Sequence, residues 1–256
     1  HIKFHIFYKN IGYIGMCEYL KNNKKLQIFM SIIFLVAMSA IACRMDKVAD
    51  NTVQRKIEKN RKSKVVVIDP GHGGDDPGKV GINNIKEKEV NLAISLKLRE
   101  QLLNKGYDVV LTRSKDVILS NGDKFSKVGD LNERCRIINN TYQINKKCVM
   151  ISIHQNSFAQ QSVQGAQSFY YQRSEESKRL GEVIQNKFNE KINMKEKKAK
   201  PNDSYYMLIN SKCPGVILEC GFLSNPDESE RLKDEKYQAD LAEIICEGID
   251  VYFGEK

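Results

Sequence analysis

Residues 65–74 read VVVIDPGHGG and residues 149–154 read VMISIH. In each stretch an apolar run of strand-forming residues ends, and a histidine follows at or just beyond its end. Only two of the chain's four histidines, His72 and His154, lie outside the first 25 residues, so this placement is shared by both histidines of the main body. Such runs read as strands buried on both faces, which demands helices above and below the sheet. In open α/β sheets, sites form beyond the carboxyl ends of the strands. Two histidines 82 positions apart can therefore meet in space.

The rest of the chain supports that reading. Glu87–Lys105 places Val90, Ala93, Ile94, Leu98 and Leu102 on one stripe and stops at Gly106, a natural helix terminator. Tyr107–Leu111, Gly165–Tyr171, Tyr205–Ile209 and Gly215–Leu218 are expected strands, with Val65–Ile68 and Val149–His154. Asn132–Asn140, Ser174–Ile192 and Lys236–Phe253 are expected helices. The alternation predicts an α/β fold: one domain with a mixed, mostly parallel sheet flanked by helices on both faces.

Leu26–Cys43 carries no charge over 18 residues and follows Lys21, Lys24 and Lys25. At about 1.5 Å per residue it spans about 27 Å, close to the hydrocarbon thickness of a bilayer. It is expected to be a signal peptide or membrane anchor, which makes the protein exported. The expected organisation is an upstream basic segment over 1–25, this apolar segment over 26–43, a basic linker over 44–63 and a catalytic domain over 64–256. From Arg44 to Lys64 the chain has eight Lys or Arg against three Asp or Glu. The net charge of +9 favours an anionic partner: a wall polymer, an acidic lipid or nucleic acid. Seven cysteines show no paired spacing and read as small buried residues.

Two converging imidazoles suit a zinc ion, which needs one more carboxylate or thiolate for three protein ligands. Glu219 emerges after Val216–Leu218 at a third strand end, as a ligand, a general base or an ion-pair partner. Glu87 and Glu89 open the first long helix two residues apart, so they cannot share a face. Periodicity does not choose between them. Asp69 reads equally as a turn cap or as a partner that orients a ligand.

Taken in order, VVVIDPGHGGDDPG, KEKEVNLAISLKLREQLLNKGYDVVLTR, ISIHQNS and VILECGFLSNPDE resemble the zinc-dependent N-acetylmuramoyl-L-alanine amidases of the amidase-3 family, from about Lys64 onward. The resemblance implies Zn2+ held by His72, Glu87 and His154, with Glu219 as the catalytic glutamate. It offers Arg134 and Asn156 as substrate contacts. Relatives often carry SIHAN where this chain has SIHQN, and Ala or Val where Cys220 stands. The implied substrate is peptidoglycan, not nucleic acid. The short body, with no wall-binding repeat and no room for a helical insert after Tyr171, resembles the subgroup acting on spore cortex. An accessory activating or targeting protein is an expected partner, and the outer face of a membrane or the spore intermembrane space the expected location. A zinc endopeptidase of the stem peptide, or an inactive membrane-tethered wall-binding scaffold, are the competing readings.

Overall fold

In the computed structural model, residues 24–25, 28–36, 38–39, 41, 44–45, 63–120 and 126–254 are described. Residues 60–256 form one unit and residues 1–59 another. The described residues between 24 and 45 are helical and exposed, and no helix among the described residues is long and apolar enough to cross a membrane. Six of the eighteen residues of the expected apolar segment 26–43 and nearly all of the linker lie outside the described residues.

Among the described residues, six strands make one sheet: β1 (Val65–Pro70), β2 (Asp108–Leu111), β3 (Cys148–Asn156), β4 (Gln167–Tyr171), β5 (Lys200–Asn202) and β6 (Gly215–Phe222). Their order is β2-β1-β3-β6-β4-β5, and every neighbouring pair is parallel except β4 with β6. Period-two alternation sorts the apolar residues by face. Val66, Ile68, Val149, Ile151, Val216 and Leu218 pack on one side, beneath helices α1 (Glu87–Asn104), α3 (Glu175–Lys191), α5 (Pro226–Lys233) and α6 (Glu235–Phe253). Val65, Val67, Met150 and Ile217 pack on the other side, beneath α2 (Lys127–Ile144) and the short α4 (Tyr206–Asn210). The mixed, mostly parallel sheet between two helical layers is the expected architecture.

One local expectation is corrected, and one helix is added. Tyr205–Ile209, expected as a strand, is the helix α4 and its preceding residue. Asn202 Oδ1 accepts the amides of Ser204 and Tyr205, turning the chain, and the adjacent residues Met207 and Leu208 are both buried. Burial of consecutive residues fits a helical turn and breaks a strand's alternation. Ahead of the C-terminal helix stands α5, with Asn225 Oδ1 capping the Glu228 amide and Pro226 in the first turn.

Ile151 is fully buried on β3, between β1 and β6. Its truncation leaves a cavity at the centre of the sheet, so Ile151→Ala is expected to lower unfolding free energy by about 2–5 kcal/mol. Urea denaturation followed by circular dichroism measures this; an unchanged midpoint would mean that the core is not packed around β3.

Candidate metal centre

The carboxyl ends of β1, β3 and β6 lie side by side, and the face under α2 carries polar residues there. Asp69 pairs in register with Ser152, and His154 with Glu219. These positions continue the alternation of Val67, Met150 and Ile217, so the apolar layer gives way to a polar one at the sheet edge.

Beyond β1 the backbone leaves the sheet by an unusual path. His72 adopts φ 62°, and Gly73 and Gly74 follow at 139° and 56°. A left-handed histidine costs on the order of 1 kcal/mol, so the surroundings must hold it. Gly73 and Asp76 exchange backbone hydrogen bonds at 3.0 and 3.1 Å, closing a tight reverse turn. Gly71 is required for a different reason. A Cβ there would lie 2.2 Å from His154 Cε1, so the imidazole packs directly on the backbone.

Two buried guanidinium groups grip this loop. Arg134 donates through Nη1 to Pro70 O and through Nη2 to His72 O, both at 2.7 Å. Arg113 donates to Pro70 O at 2.9 Å and to Gly71 O at 3.0 Å. Asp69, held below the usual carboxylate range despite burial, pairs with Arg134 at 2.7 Å and accepts the hydroxyls of Thr112 and Ser152. Asp130 binds Arg134 Nε at 2.6 Å.

The three expected ligands meet. His72 Nε2 lies 3.2 Å from Glu87 Oε2, and His154 Nδ1 lies 2.9 Å from Glu87 Oε1. One donor atom from each lies within 4.8 Å of the others, a group that could hold a metal ion. Glu87, not Glu89, faces inward: its side chain is 3% exposed, against 57% for Glu89, which pairs with Lys86. The amides of Lys79 and Gln155 also donate to Glu87, at 2.8 and 3.1 Å. Burial alone would raise its pKa, yet hydrogen bonds from His154 and His72 hold it well below the carboxylate range. His154 answers in the opposite direction: burial would lower it, and Glu87 raises it.

Asp76 is the residue that sequence reasoning missed. Its Oδ2 lies 2.7 Å from His72 Nδ1. A carboxylate on one imidazole nitrogen presents the other as a lone-pair donor, the usual support for a metal-bound histidine. The signal was an acid four residues after His72. Asp69, by contrast, makes no hydrogen bond to either histidine and supports the loop through Arg134.

Glu219 sits beside this group with the contrary electrostatics. Burial raises its pKa to about 7, assisted by the charge on Glu87 and opposed by His154. Its buried Oε2 has no hydrogen-bond partner. His72, His154 and Glu219 share a cavity of about 200 Å³ with Tyr205 and Arg134. Arg134, expected to touch substrate, is only 2% exposed, and four of its N–H contacts go to protein oxygens. It positions the histidine loop. Asn156, the other expected substrate contact, lines a separate neighbouring cavity. Gln155 points to the opposite face of the sheet, where it donates to Asn91, whose own amide reaches Gly71 O and Glu87, so its departure from SIHAN bears on the site through Asn91.

An α/β sheet edge with two histidines, a carboxylate and a protonatable buried acid fits the metal-dependent hydrolases. Residues 66–251 match the family Amidase_3, N-acetylmuramoyl-L-alanine amidase, and the chain belongs to it. It is 37% identical over 197 residues to the germination-specific N-acetylmuramoyl-L-alanine amidase of Bacillus subtilis (strain 168), covering 75% of this chain and 81% of that one. The fold matches the CwlD amidase of Clostridioides difficile, solved in complex with the GerS lipoprotein, at TM-score 0.70 and 37% identity, over 75% of this chain and 98% of that one. The catalytic domain of CwlV from Bacillus (Paenibacillus) polymyxa var. colistinus matches at TM-score 0.65 and 33% identity, over 75% and 99%. The activity is that of an N-acetylmuramoyl-L-alanine amidase and the substrate is peptidoglycan.

Glu219 ties stability to pH. Its folded pKa of about 7 lies above the ordinary 4.5. Between those values the folded chain keeps a proton that the unfolded chain has lost, so stability falls as pH rises through the window, by on the order of 3 kcal/mol. Glu219→Gln removes that loss. In chelator-treated protein the variant is expected to gain on the wild type between about pH 5 and pH 8, as read by denaturant titration. Parallel pH profiles would show Glu219 ionising as freely as in the unfolded chain.

Proposed function

We propose that this chain hydrolyses the amide between the lactyl group of N-acetylmuramic acid and L-alanine, with zinc held by His72, Glu87 and His154 and with Glu219 as the proton carrier. The observation that carries this reading is the convergence of the three donors beside a buried acid whose Oε2 has no partner. Two imidazoles and one carboxylate form a donor set that suits zinc and leaves a position open. When bound, the ion lowers the pKa of water and polarises a carbonyl.

The chain's own residues do the rest. Asp76 and the loop hydrogen bonds fix the His72 ring, and Gly71 gives the His154 ring its seat. With a pKa near 7, Glu219 can take a proton from the attacking water and return it to the departing amine of L-alanine. The bond broken is the lactyl carbonyl–nitrogen bond, and the products are a free lactyl carboxylate and a peptide with a free amino terminus.

The likeness to the germination-specific amidase and to CwlD supports action on spore cortex peptidoglycan. The relative's complex with a lipoprotein supports an accessory partner for this chain too. Export through residues 26–43, ahead of a linker over 44–63 and a catalytic domain over 64–256, completes the reading and places the enzyme outside the membrane that bounds its synthesis.

Digestion of purified peptidoglycan, analysed by mass spectrometry with and without a chelator, tests it. Free stem peptides beginning with L-alanine are expected, and the chelator should abolish them. Cuts inside the peptide would indicate an endopeptidase; no cuts, a scaffold. Glu219→Ala should retain zinc by elemental analysis and lose about 10²–10⁴ in turnover. Normal turnover would remove Glu219 from the mechanism.

A further inference from the structure

A second, larger cavity of about 530 Å³ opens on the β4–β5 side of the same sheet edge. Asn156, two residues beyond His154, lines it, as does Phe222, three residues beyond Glu219. Gln167, another wall residue, pairs in register with Glu219. The cavity is therefore next door to the candidate metal centre, across β3 and β6 from His72.

Its walls are strongly cationic. Lys195, Lys197, Lys198, Lys200 and Arg231 line it, and Glu228 is the only acid among the lining residues. The charge on Glu228 is already engaged. Its oxygens accept the amides of Gly165 and Phe222 at 3.0 and 2.9 Å, and Arg231 stands 3.8 Å away. Lys197 has a structural task, donating to Gln164 O and Gly165 O at 2.6 Å. Burial lowers its pKa, and the charge on Lys200 pushes in the same direction. Lys195, Lys198 and Lys200 are exposed and have no ion-pair partner among the described residues. Phe222 and Phe169 supply an apolar floor.

The substrate's charge is unevenly distributed. The glycan's amines are acetylated and its lactyl carboxyl is tied up in the scissile amide, so that half is neutral around the cut. The free carboxylates belong to the peptide. We infer that this cavity is the subsite for the carboxylate-bearing stem peptide, with Lys195, Lys198 and Lys200 as its specificity-determining cations, so that the peptide leaves toward β5 and the glycan lies on the far side of the centre. This rests on the amidase reading above and adds an orientation and a charge preference to it.

The test uses the full chain carrying Lys195→Gln, Lys198→Gln and Lys200→Gln together. These side chains are exposed, so thermal unfolding should match the wild type. Three substrates are compared at low and high salt: a disaccharide-peptide with free carboxylates, the same compound with its peptide carboxylates amidated, and N-acetylmuramoyl-L-alanine amide. The wild type should favour the first through KM, and salt should erode that preference. Losing three solvated contacts predicts a KM about tenfold higher in the variant, with kcat unchanged. Both proteins should treat the neutral amide alike. An unchanged KM for the acidic substrate overturns the inference, as does an equal rise for all three, which would place the glycan there. Failure of the amidase reading is separately visible: the wild type would free the amino group of L-alanine, on a peptide or on L-alanine amide, from none of them.

Discussion

The candidate site depends on a loop that cannot hold itself. Pro70, Gly71, His72, Gly73 and Gly74 offer one substantial polar side chain and a run of carbonyls that no neighbouring strand can pair. Arg134 and Arg113 supply the missing donors from opposite sides, taking the carbonyls of Pro70, Gly71 and His72. Hydrogen bonds from charged donors are worth about 1.5–3 kcal/mol each, enough to offset the left-handed histidine. Burying a guanidinium at 2% exposure is costly unless it is paired, and the Arg134 charge is met by Asp69 below and Asp130 along its own helix. Asp69 in turn is fixed by the hydroxyls of Thr112 and Ser152. The ion-pair network therefore sets the direction of His72 without touching its ring.

The ring itself is set from elsewhere, by Asp76 on one nitrogen and Glu87 on the other. Gly78 completes the arrangement. A Cβ there would meet Glu87 Oε2 at 2.6 Å and His72 Cδ2 at 2.7 Å, so the backbone passes where a side chain would push the pair apart. The motif GHGGDDPG thus encodes three separate things: a backbone turned into the left-handed region, an acid to fix a tautomer, and a close approach that leaves two donors within reach of one ion.

Much of this was legible in the chain. Apolar runs ending at His72, His154 and Glu219 located three strand ends, and the strand alternation carried all the way into the polar layer. Glu87 was not distinguishable from Glu89 by periodicity, because either could open the helix; what selects Glu87 is the position of the helix start relative to two loops distant in sequence. Arg134 read only as a substrate contact and Arg113 drew no reading at all, since burial of an arginine depends on partners 43 to 65 positions away. Tyr205–Ile209 misled because YYMLI has the composition of a strand, while the deciding interaction, an Asn202 side chain turning the backbone, involves a residue outside the segment.

Two glutamates at the same site carry opposite tendencies, and the difference is wholly environmental. Glu87 accepts from two backbone amides and faces two imidazoles, so its charge is stabilised in a place where burial would otherwise remove it. Glu219 is buried at the end of its strand, has an oxygen without a donor, and feels the fixed charge of Glu87. The first is therefore suited to remain an anion and hold a cation; the second is suited to exchange a proton near neutrality. The second condition depends on the first, because the charge kept on Glu87 is part of what raises Glu219. Moving either carboxylate, or supplying Glu219 with a donor of its own, would collapse the separation between them and leave two ordinary acids.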